Sequence, residues 1–404
     1  MFFMILRNIK RHRYTSMMTA AICLFLVALL NLYFGNISEN ERQLSDLAKI
    51  TSIQCKVTNL NGSRSSGLVI SEEATDKILA SPYVKDKKYT LRMMAGIGEF
   101  SIEEWESRLT LFAMGANEAA ANVGFTSENI KMEIAEQEAF FASSDPVCIV
   151  SDKLMEKEGW KVGDIVPINF YYYDYSDPRL VHCYPLEVVD LKISGEMDSG
   201  ISGSEQMPID IMVPIETMRA IYHRNQKAFS VDSMGFYAAD PLKINELKNE
   251  MKEIGFMDKI PAAEDAYQGN ALAVNDTVFR SIASQLRQSI DILYAFFPLI
   301  LITICIIGYI TSFLLIGSRQ KEFALMRGLG VSALRSVWLL FFEQMILVLL
   351  GVIIGSVAAL LMRQEYMVVM KVNLIVFAGY LMGSLVALVR IGKRTTMRLL
   401  FEEE

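Results

Sequence analysis

Ser318-Arg319-Gln320-Lys321-Glu322-Phe323-Ala324-Leu325-Met326-Arg327-Gly328-Leu329-Gly330-Val331-Ser332 is the stretch on which the reading of this chain turns. It is short and basic, and it lies between two apolar runs each long enough to cross a bilayer. Arg319, Lys321, Arg327 and the nearby Arg335 place it on the cytoplasmic side, because inner loops carry the excess of Lys and Arg. A connector needs no secondary structure. Here Glu322 to Met326 are good helix formers, and Gly328 and Gly330 follow as stop signals. The stretch reads as a docking element for a partner inside the cell.

Charge is segregated along the 404 residues. Between Asn36 and Arg287 there are 39 acidic and 25 basic residues, a net of −14, whereas the rest carries 7 acidic and 14 basic, a net of +7. The mean hydropathy of +0.29 is high for a soluble enzyme, yet 21% charged residues are too many for a bundle wholly embedded in lipid. The acidic block is long enough for a core of its own. Its sign argues against nucleic acid as a partner, since phosphate binding calls for clustered Lys and Arg. Cys55, Cys148 and Cys183 in the block are too far apart for a disulfide framework or a zinc site, and read as buried thiols.

The order of segments follows from hydropathy. Residues 1–16, where Phe2, Phe3, Ile5, Leu6 and Ile9 mix with Arg7, Lys10, Arg11 and Arg13, read as a cytoplasmic amphipathic helix on the inner leaflet. Residues 17–35 form the first span. A basic start followed by an apolar run also suits a signal peptide, but bulky Leu32, Tyr33 and Phe34 make a poor cleavage site. Residues 36–274 form an extracytoplasmic α/β domain. Val278, Ile282, Leu286, Ile290 and Leu293 then line one helical face, giving a stalk over 275–291 that continues into the second span, 292–316. Read as one helix, 275–316 is roughly 60 Å long, about twice a hydrocarbon core. Half of it stands outside, pairs with the extension of the first span, and is open to a kink at Pro298.

The docking stretch occupies 317–336, the third span 337–362, an outer link 363–371, the fourth span 372–389, and a cytoplasmic tail 390–404. The expected fold class is a membrane protein with four transmembrane helices and a mixed α/β domain inserted between spans 1 and 2 on a helical stalk. Both termini lie inside. Gly351-x-x-x-Gly355 and Gly379-x-x-x-Gly383 allow close helix approach, either within the chain or at a dimer seam. Glu343 is the one acid within a span; snorkelling or pairing with Arg335 is its cheaper state.

Within the acidic block the pattern predicts strands at Ile53–Leu60, Tyr89–Met94, Pro146–Val150, Ile165–Tyr173, Leu186–Ile193 and Ile209–Val213. Helices are expected at Glu72–Ala80, Glu128–Phe141, Asp152–Glu158, Ile215–Tyr222 and Lys243–Ile254. Gly195–Pro208 reads as a surface loop, with a substrate- or partner-contacting flap as the alternative, and tyrosine-rich Asn169–Tyr175 as a solvent-edge strand, with a ligand-facing surface as the alternative. Catalytic signatures are missing. There is no phosphate-binding Gly-x-x-x-x-Gly-Lys-Ser/Thr loop, no His-Glu-x-x-His, no Cys-x-x-Cys and no Gly-x-Ser-x-Gly elbow. Glu103, Glu104 and Glu106 around Trp105 diverge from one another and read as a solvated face. An enzyme is not expected, and neither a metal nor a catalytic residue is assigned.

The layout of one span, a large outer domain and three later spans resembles the FtsX-like/MacB-type permeases of ABC transporters. Arg319 to Gly330 is similar to that family's basic-x-x-Glu-apolar-small-Leu-x-Arg-Ala-Leu-Gly segment, with Gly328 where Ala is usual. Phe342-Glu343-Gln344, Val162-Gly163-Asp164 and Met212-Val213-Pro214-Ile215-Glu216 resemble further family motifs. The resemblance implies a non-catalytic permease subunit in the bacterial cytoplasmic membrane. It would dimerise with itself or a related permease and bind two copies of a separate ATPase, which hold the ATP and Mg²⁺. Its coupling residues would be Arg319, Lys321, Glu322, Leu325, Met326, Arg327 and Gly330. Export or extraction of a peptide, antibiotic or lipid-like substrate, activation of a wall hydrolase or sensor kinase, and a membrane-anchored ectoenzyme all stay open at this point.

Overall fold

The structure, a computed structural model, describes residues 11, 13–100, 108, 110–121, 125–177, 180–199, 209–260, 269–317, 322, 325–326, 328–362 and 364–392. Most of 1–16, the acids around Trp105, the loop residues 200–208 and the tail beyond 392 lie outside it. The chain divides into two compact units. One comprises Met1–Leu47 and Arg280–Glu404, the other Ala48–Phe279.

The first unit is helical. Among the described residues four helices are long and apolar enough to cross a membrane: α1 (Arg13–Ile50), the long helix Thr277–Gly317, Ala333–Leu361 and Tyr366–Gly392. Residues 366–371, expected in the outer link, are already helical, because Tyr366 to Val369 are good company for an apolar start and nothing breaks the run. The long helix passes Pro298 and stays helical to Gly317. Its first half pairs with α1, as the apolar spacing required. Phe34 meets Phe297 edge-on at 5.7 Å, the Tyr33 hydroxyl donates to the Leu293 carbonyl, Asn40 donates to Ser289 at 3.2 Å, and Tyr294 donates to Glu41 at 3.2 Å.

Close backbone approach organises the other pairings. A Cβ on Gly351 would lie 2.9 Å from the Ala20 carbonyl, and one on Gly355 would lie 2.8 Å from Val27. The helix Ala333–Leu361 thus packs against α1. A Cβ on Gly379 would lie 2.9 Å from Ile304, and one on Gly383 would strike the Cys305 carbonyl and lie 2.7 Å from the Tyr309 nitrogen. From the other side, a Cβ on Gly308 would sit 3.0 Å from the Tyr380 backbone. Both sequence motifs are therefore seated against helices of the same chain. Val27, Leu30, Ile304, Val368, Val372 and Val376 fill the apolar space between them.

The second unit is α/β. Its helices, numbered after α1, are α2 (Glu72–Ala80), α3 (Ile134–Ala142), α4 (Asp152–Glu158), α5 (Ile215–Arg224) and α6 (Ile244–Ile254). Strands β1 (Gln54–Asn59), β3 (Val84–Ile97), β11 (Ser233–Ala238) and β12 (Asn270–Val274) lie in the order β12-β1-β11-β3, all antiparallel. With α2 following β1 and α6 following β11, this is a split βαβ, ferredoxin-like arrangement. Alternation explains β11: Met234, Phe236 and Ala238 are buried while Ser233, Gly235 and Tyr237 are less so. β2 (Ile70–Ser71) and β10 (Ser230–Val231) form a separate antiparallel pair. Ser71 caps α2 by accepting from Ala74 at 3.3 Å.

The segment between β3 and β11 extends the same sheet beyond β3. β3 also pairs with β4 (Leu111–Ala116), which runs parallel to β9 (Ile211–Pro214). β9 pairs with β6 (Val147–Ser151), β6 with β8 (Leu180–Met197), β8 with β7 (Ile165–Asp177), and β7 returns to β3. The pairings close a ring. Ile211, Met212 and Val213 are buried on both faces, as a central strand with a parallel neighbour requires. Phe140 and Phe141 of α3 cover Met114, Ile149 and Met212.

Four expectations are corrected here. Glu128–Phe141 is not one helix: Asn129 accepts from the Thr126 nitrogen at 2.7 Å, and Ile130–Lys131 form a short strand, β5, against Met197 and Glu196 of β8. Gly195–Met197 belong to β8, not to a loop. Tyr171 is fully buried, not at a solvent edge, because β7 has β3 on one side and β8 on the other. β4 and β12 were not foreseen, since both are short and rich in Ala.

Two predictions follow from this packing. Gly383→Ala pushes a methyl into fixed backbone and should cost about 1–3 kcal/mol, the usual price of overpacking. Gly328→Ala meets nothing within 4 Å and should be neutral or gain up to about 1 kcal/mol of helix propensity. Thermal midpoints in detergent should therefore drop only for Gly383→Ala; equal midpoints would show that the helices do not need the contact. The second concerns Asp232, which accepts from Thr90 at 2.7 Å and from Arg92 at 3.0 Å. Burial pushes its carboxyl up despite Arg92. The native state thus holds this proton more tightly than the unfolded chain, where Asp titrates near ~4. Its stabilisation is complete below that value and is lost as pH rises through the folded value. The stability of the wild type relative to Asp232→Asn should fall as pH rises above ~4; a pH-independent difference would contradict the assignment.

Candidate coupling surface and transmembrane core

The docking stretch joins two helices, α7 (Thr277–Gly317) and α8 (Ala333–Leu361). Arg319, Lys321 and Arg327 lie outside the described residues. Of the described ones, Glu322, Leu325, Met326 and Gly328 are helical. Gly330 has φ +85° and the Val331 nitrogen donates to the Met326 carbonyl at 3.0 Å. That six-residue closure around a left-handed glycine is a Schellman stop. Gly330 ends the helix, and Gly328, expected to share that role, sits inside it. Leu325 is 66% exposed and Leu329 83% exposed, so this short helix presents apolar side chains with nothing of the described chain over them. Glu322 is ion-paired with Arg11 at 3.5 Å, tying the amino-terminal segment to the connector.

Above this surface the helices share a buried polar cluster that sequence reasoning did not single out. Gln344 of α8 is fully buried and donates to the Ser312 hydroxyl of α7 and to the Tyr380 hydroxyl at 3.4 Å. Tyr380 belongs to α9 (Tyr366–Gly392), and its hydroxyl also meets Thr311 of α7. Ser312 and Thr311 in turn donate to the Gly308 and Ile307 carbonyls, at 2.6 and 2.7 Å. Cys23 of α1 packs against Tyr380 with Phe341, Met345 and Val348. In a lipid setting such bonds contribute about 0.6–2 kcal/mol each and fix helix register. Glu343, next to Gln344, is fully buried within the helices rather than snorkelled to their surface. The available signal was Gln344 itself, an amide in an apolar run, with Thr311 and Ser312 one helix away.

Gly351, Gly355, Gly379 and Gly383 belong to this region as contact points rather than as chemistry. They bring α8 against α1 and α9 against α7, and so set the spacing at which Gln344 reaches both Ser312 and Tyr380. Among the described residues no group of three or more His, Cys, Asp or Glu is placed to hold a metal.

No family model matches the sequence, and no curated protein sequence matches it. Among solved structures, the chain is similar to the periplasmic region of MacB from Actinobacillus actinomycetemcomitans, at 12% identity and a TM-score of 0.32, covering 57% of this chain and 92% of that one. It is also similar to a domain of a putative permease protein from Porphyromonas gingivalis, at 14% identity and a TM-score of 0.29, over 55% of this chain and 87% of that one. A third likeness is to the extracellular domain of the noncanonic ABC-type transporter YknZ from Gram-positive bacteria, at 13% identity and a TM-score of 0.30, over 50% of this chain and 91% of that one.

Proposed function

We propose that this chain is the permease subunit of an ABC transporter of the FtsX-like/MacB type, embedded in the bacterial cytoplasmic membrane with its α/β unit outside. The observation that carries this reading is the capped helix between α7 and α8, which exposes Leu325 and Leu329 inside a basic stretch. A connector has no reason to expose two leucines on a stopped helix. An ATPase groove does, and the absence of a phosphate-binding loop from the sequence means that the nucleotide chemistry belongs to another chain.

In this reading Glu322, Leu325 and Met326 enter the groove, Arg319, Lys321 and Arg327 form its polar rim, and Gly330 ends the element. Two ATPase copies carry ATP and Mg²⁺, and a second permease, identical or related, completes the assembly within the lipid. Closure of the ATPases displaces the connector, and α7 passes that displacement along a continuous helix of 41 residues. Its pairing with α1 through Asn40–Ser289 and Tyr294–Glu41 keeps the two from sliding independently. The work is mechanical, and its object is export or extraction of a peptide, antibiotic or lipid-like substrate.

Leu325→Asp tests the reading. A carboxylate forced into an apolar groove without a partner costs several kcal/mol, enough for a loss of binding of about a hundredfold or more. The full chain, expressed with its native neighbours and purified from membranes, should bring down a Walker-type ATPase. The variant should lose it while its thermal midpoint stays put. Retention of the ATPase by the variant, or its absence from the wild-type complex, would overturn the proposal.

A further inference from the structure

The backbone ladder of α7 lacks a rung at Pro298. Proline has no N–H, so the Tyr294 carbonyl four residues earlier loses its helical donor, and the ring presses on the preceding turn. Sharp kinks in helices concentrate at such prolines. The residue before a proline is also steered away from helical angles, and here that residue is Phe297. α7 nevertheless stays helical from Thr277 to Gly317.

Beside the gap runs α1. Just before Pro298, the Tyr33 hydroxyl donates to the Leu293 carbonyl, the Tyr294 hydroxyl donates to Glu41 at 3.2 Å, and Phe34 meets the Phe297 ring edge-on at 5.7 Å. A turn earlier, Asn40 donates to Ser289 at 3.2 Å. Just beyond Pro298, Ile300 and Ile304 pack in the cluster that holds Val27 and Leu30 of α1. Going from Val27 to Asn40 along α1 thus follows α7 back from Ile304 to Ser289, an antiparallel course that crosses the gap. α1 itself has no proline over this stretch. Tyr33 differs from the other groups in gripping α7 by its backbone, one residue from the carbonyl that Pro298 leaves without its helical donor.

We propose that Tyr33 is the positioning residue of the transmission step: with Phe34 it splints α7 across Pro298, so that the rod does not bend at the gap in its own ladder. The stiffness of α7 is then a property of the pair, and parting α1 from it at this level frees α7 to fold at Pro298. What α7 transmits rests on the transporter reading, whereas the splint itself requires no ATPase.

The test uses the full chain in nanodiscs without an ATPase. Spin labels are placed at exposed Gln285 of α7 and exposed Met367 of α9, on handles that leave the five native cysteines in place. Double electron–electron resonance then reads the spread of distances between them. Gln285 stands thirteen residues before Pro298, a lever of about 20 Å, so a kink of about 20° swings it by about 7 Å. The wild type should give one narrow distance. Tyr33→Phe removes the hydroxyl alone and should widen the distribution by about 7 Å. Pro298→Ala should restore the wild-type width in the Tyr33→Phe background, because a complete ladder needs no splint. A spread as wide in the wild type as in Tyr33→Phe, or one in Tyr33→Phe that Pro298→Ala leaves in place, would overturn the proposal. Capture of the ATPase by the wild type is read separately, so the splint and the transporter reading fail independently.

Discussion

Everything in the helical unit depends on how close two backbones can come. Where Gly308 of α7 crosses Gly379 and Gly383 of α9, any Cβ would press on a neighbouring backbone or on Ile304. Lipid offers no hydrophobic drive to bring helices together, since the tails are as apolar as the side chains. Contact must come from dispersion over smooth surfaces and from polar groups that have nowhere else to bond. The glycines supply the first. By drawing α7 and α9 together, they also place Tyr380 within reach of Thr311 and, with α8 alongside, within reach of Gln344. The polar cluster is thus a consequence of the glycine crossings, and in turn penalises any slide that would strand a fully buried amide.

The same logic bears on which parts of the unit are rigid. α8 and α9 are well covered in their spans, at 39% and 44% of the residues in each apolar window, whereas only 6% of the α7 window is buried. α7 is held by points rather than by a continuous seam: the Gly308 crossing and Thr311–Ser312 cluster in one half, the Tyr33, Asn40 and Glu41 contacts in the other. A helix fastened at intervals and bare between them keeps its length while its flanks stay open to lipid or to a second copy. In the coupling role proposed above, that build lets displacement travel along the helix without a continuous seam to break.

Much of this was legible from the chain because period and charge are local signals. The spans, the basic connector and the helices Glu72–Ala80 and Asp152–Glu158 follow from residues within a few positions of one another. The misreadings share a cause in distance. Ile130–Lys131 is a strand only because Glu196 and Met197 lie opposite, some sixty residues later. Tyr171 is buried only because β3 and β8 flank β7, and no pattern within Asn169–Tyr175 states that. The glycine motifs were visible as motifs, yet their partners, Ala20 and Val27 for one pair and Ile304 to Tyr309 for the other, are choices of tertiary packing. The connector was half legible: its helix and stop could be read, but which glycine ends it depends on a backbone angle, and Gly330 is the one with φ +85°.

Two buried amides, Asn169 in the α/β unit and Gln344 among the helices, are held in different ways. Each keeps a carbonyl oxygen without a partner among the described residues, although Gln344 spends its nitrogen on Ser312 and Tyr380. The two differ in what surrounds them. Gln344 is fully buried among the helices and its bonds cross from α8 to α7 and α9, so its role is met by fixing register. Asn169 sits at the meeting of β3, β7 and β8, whose ladders hold its backbone still without using its side-chain carbonyl.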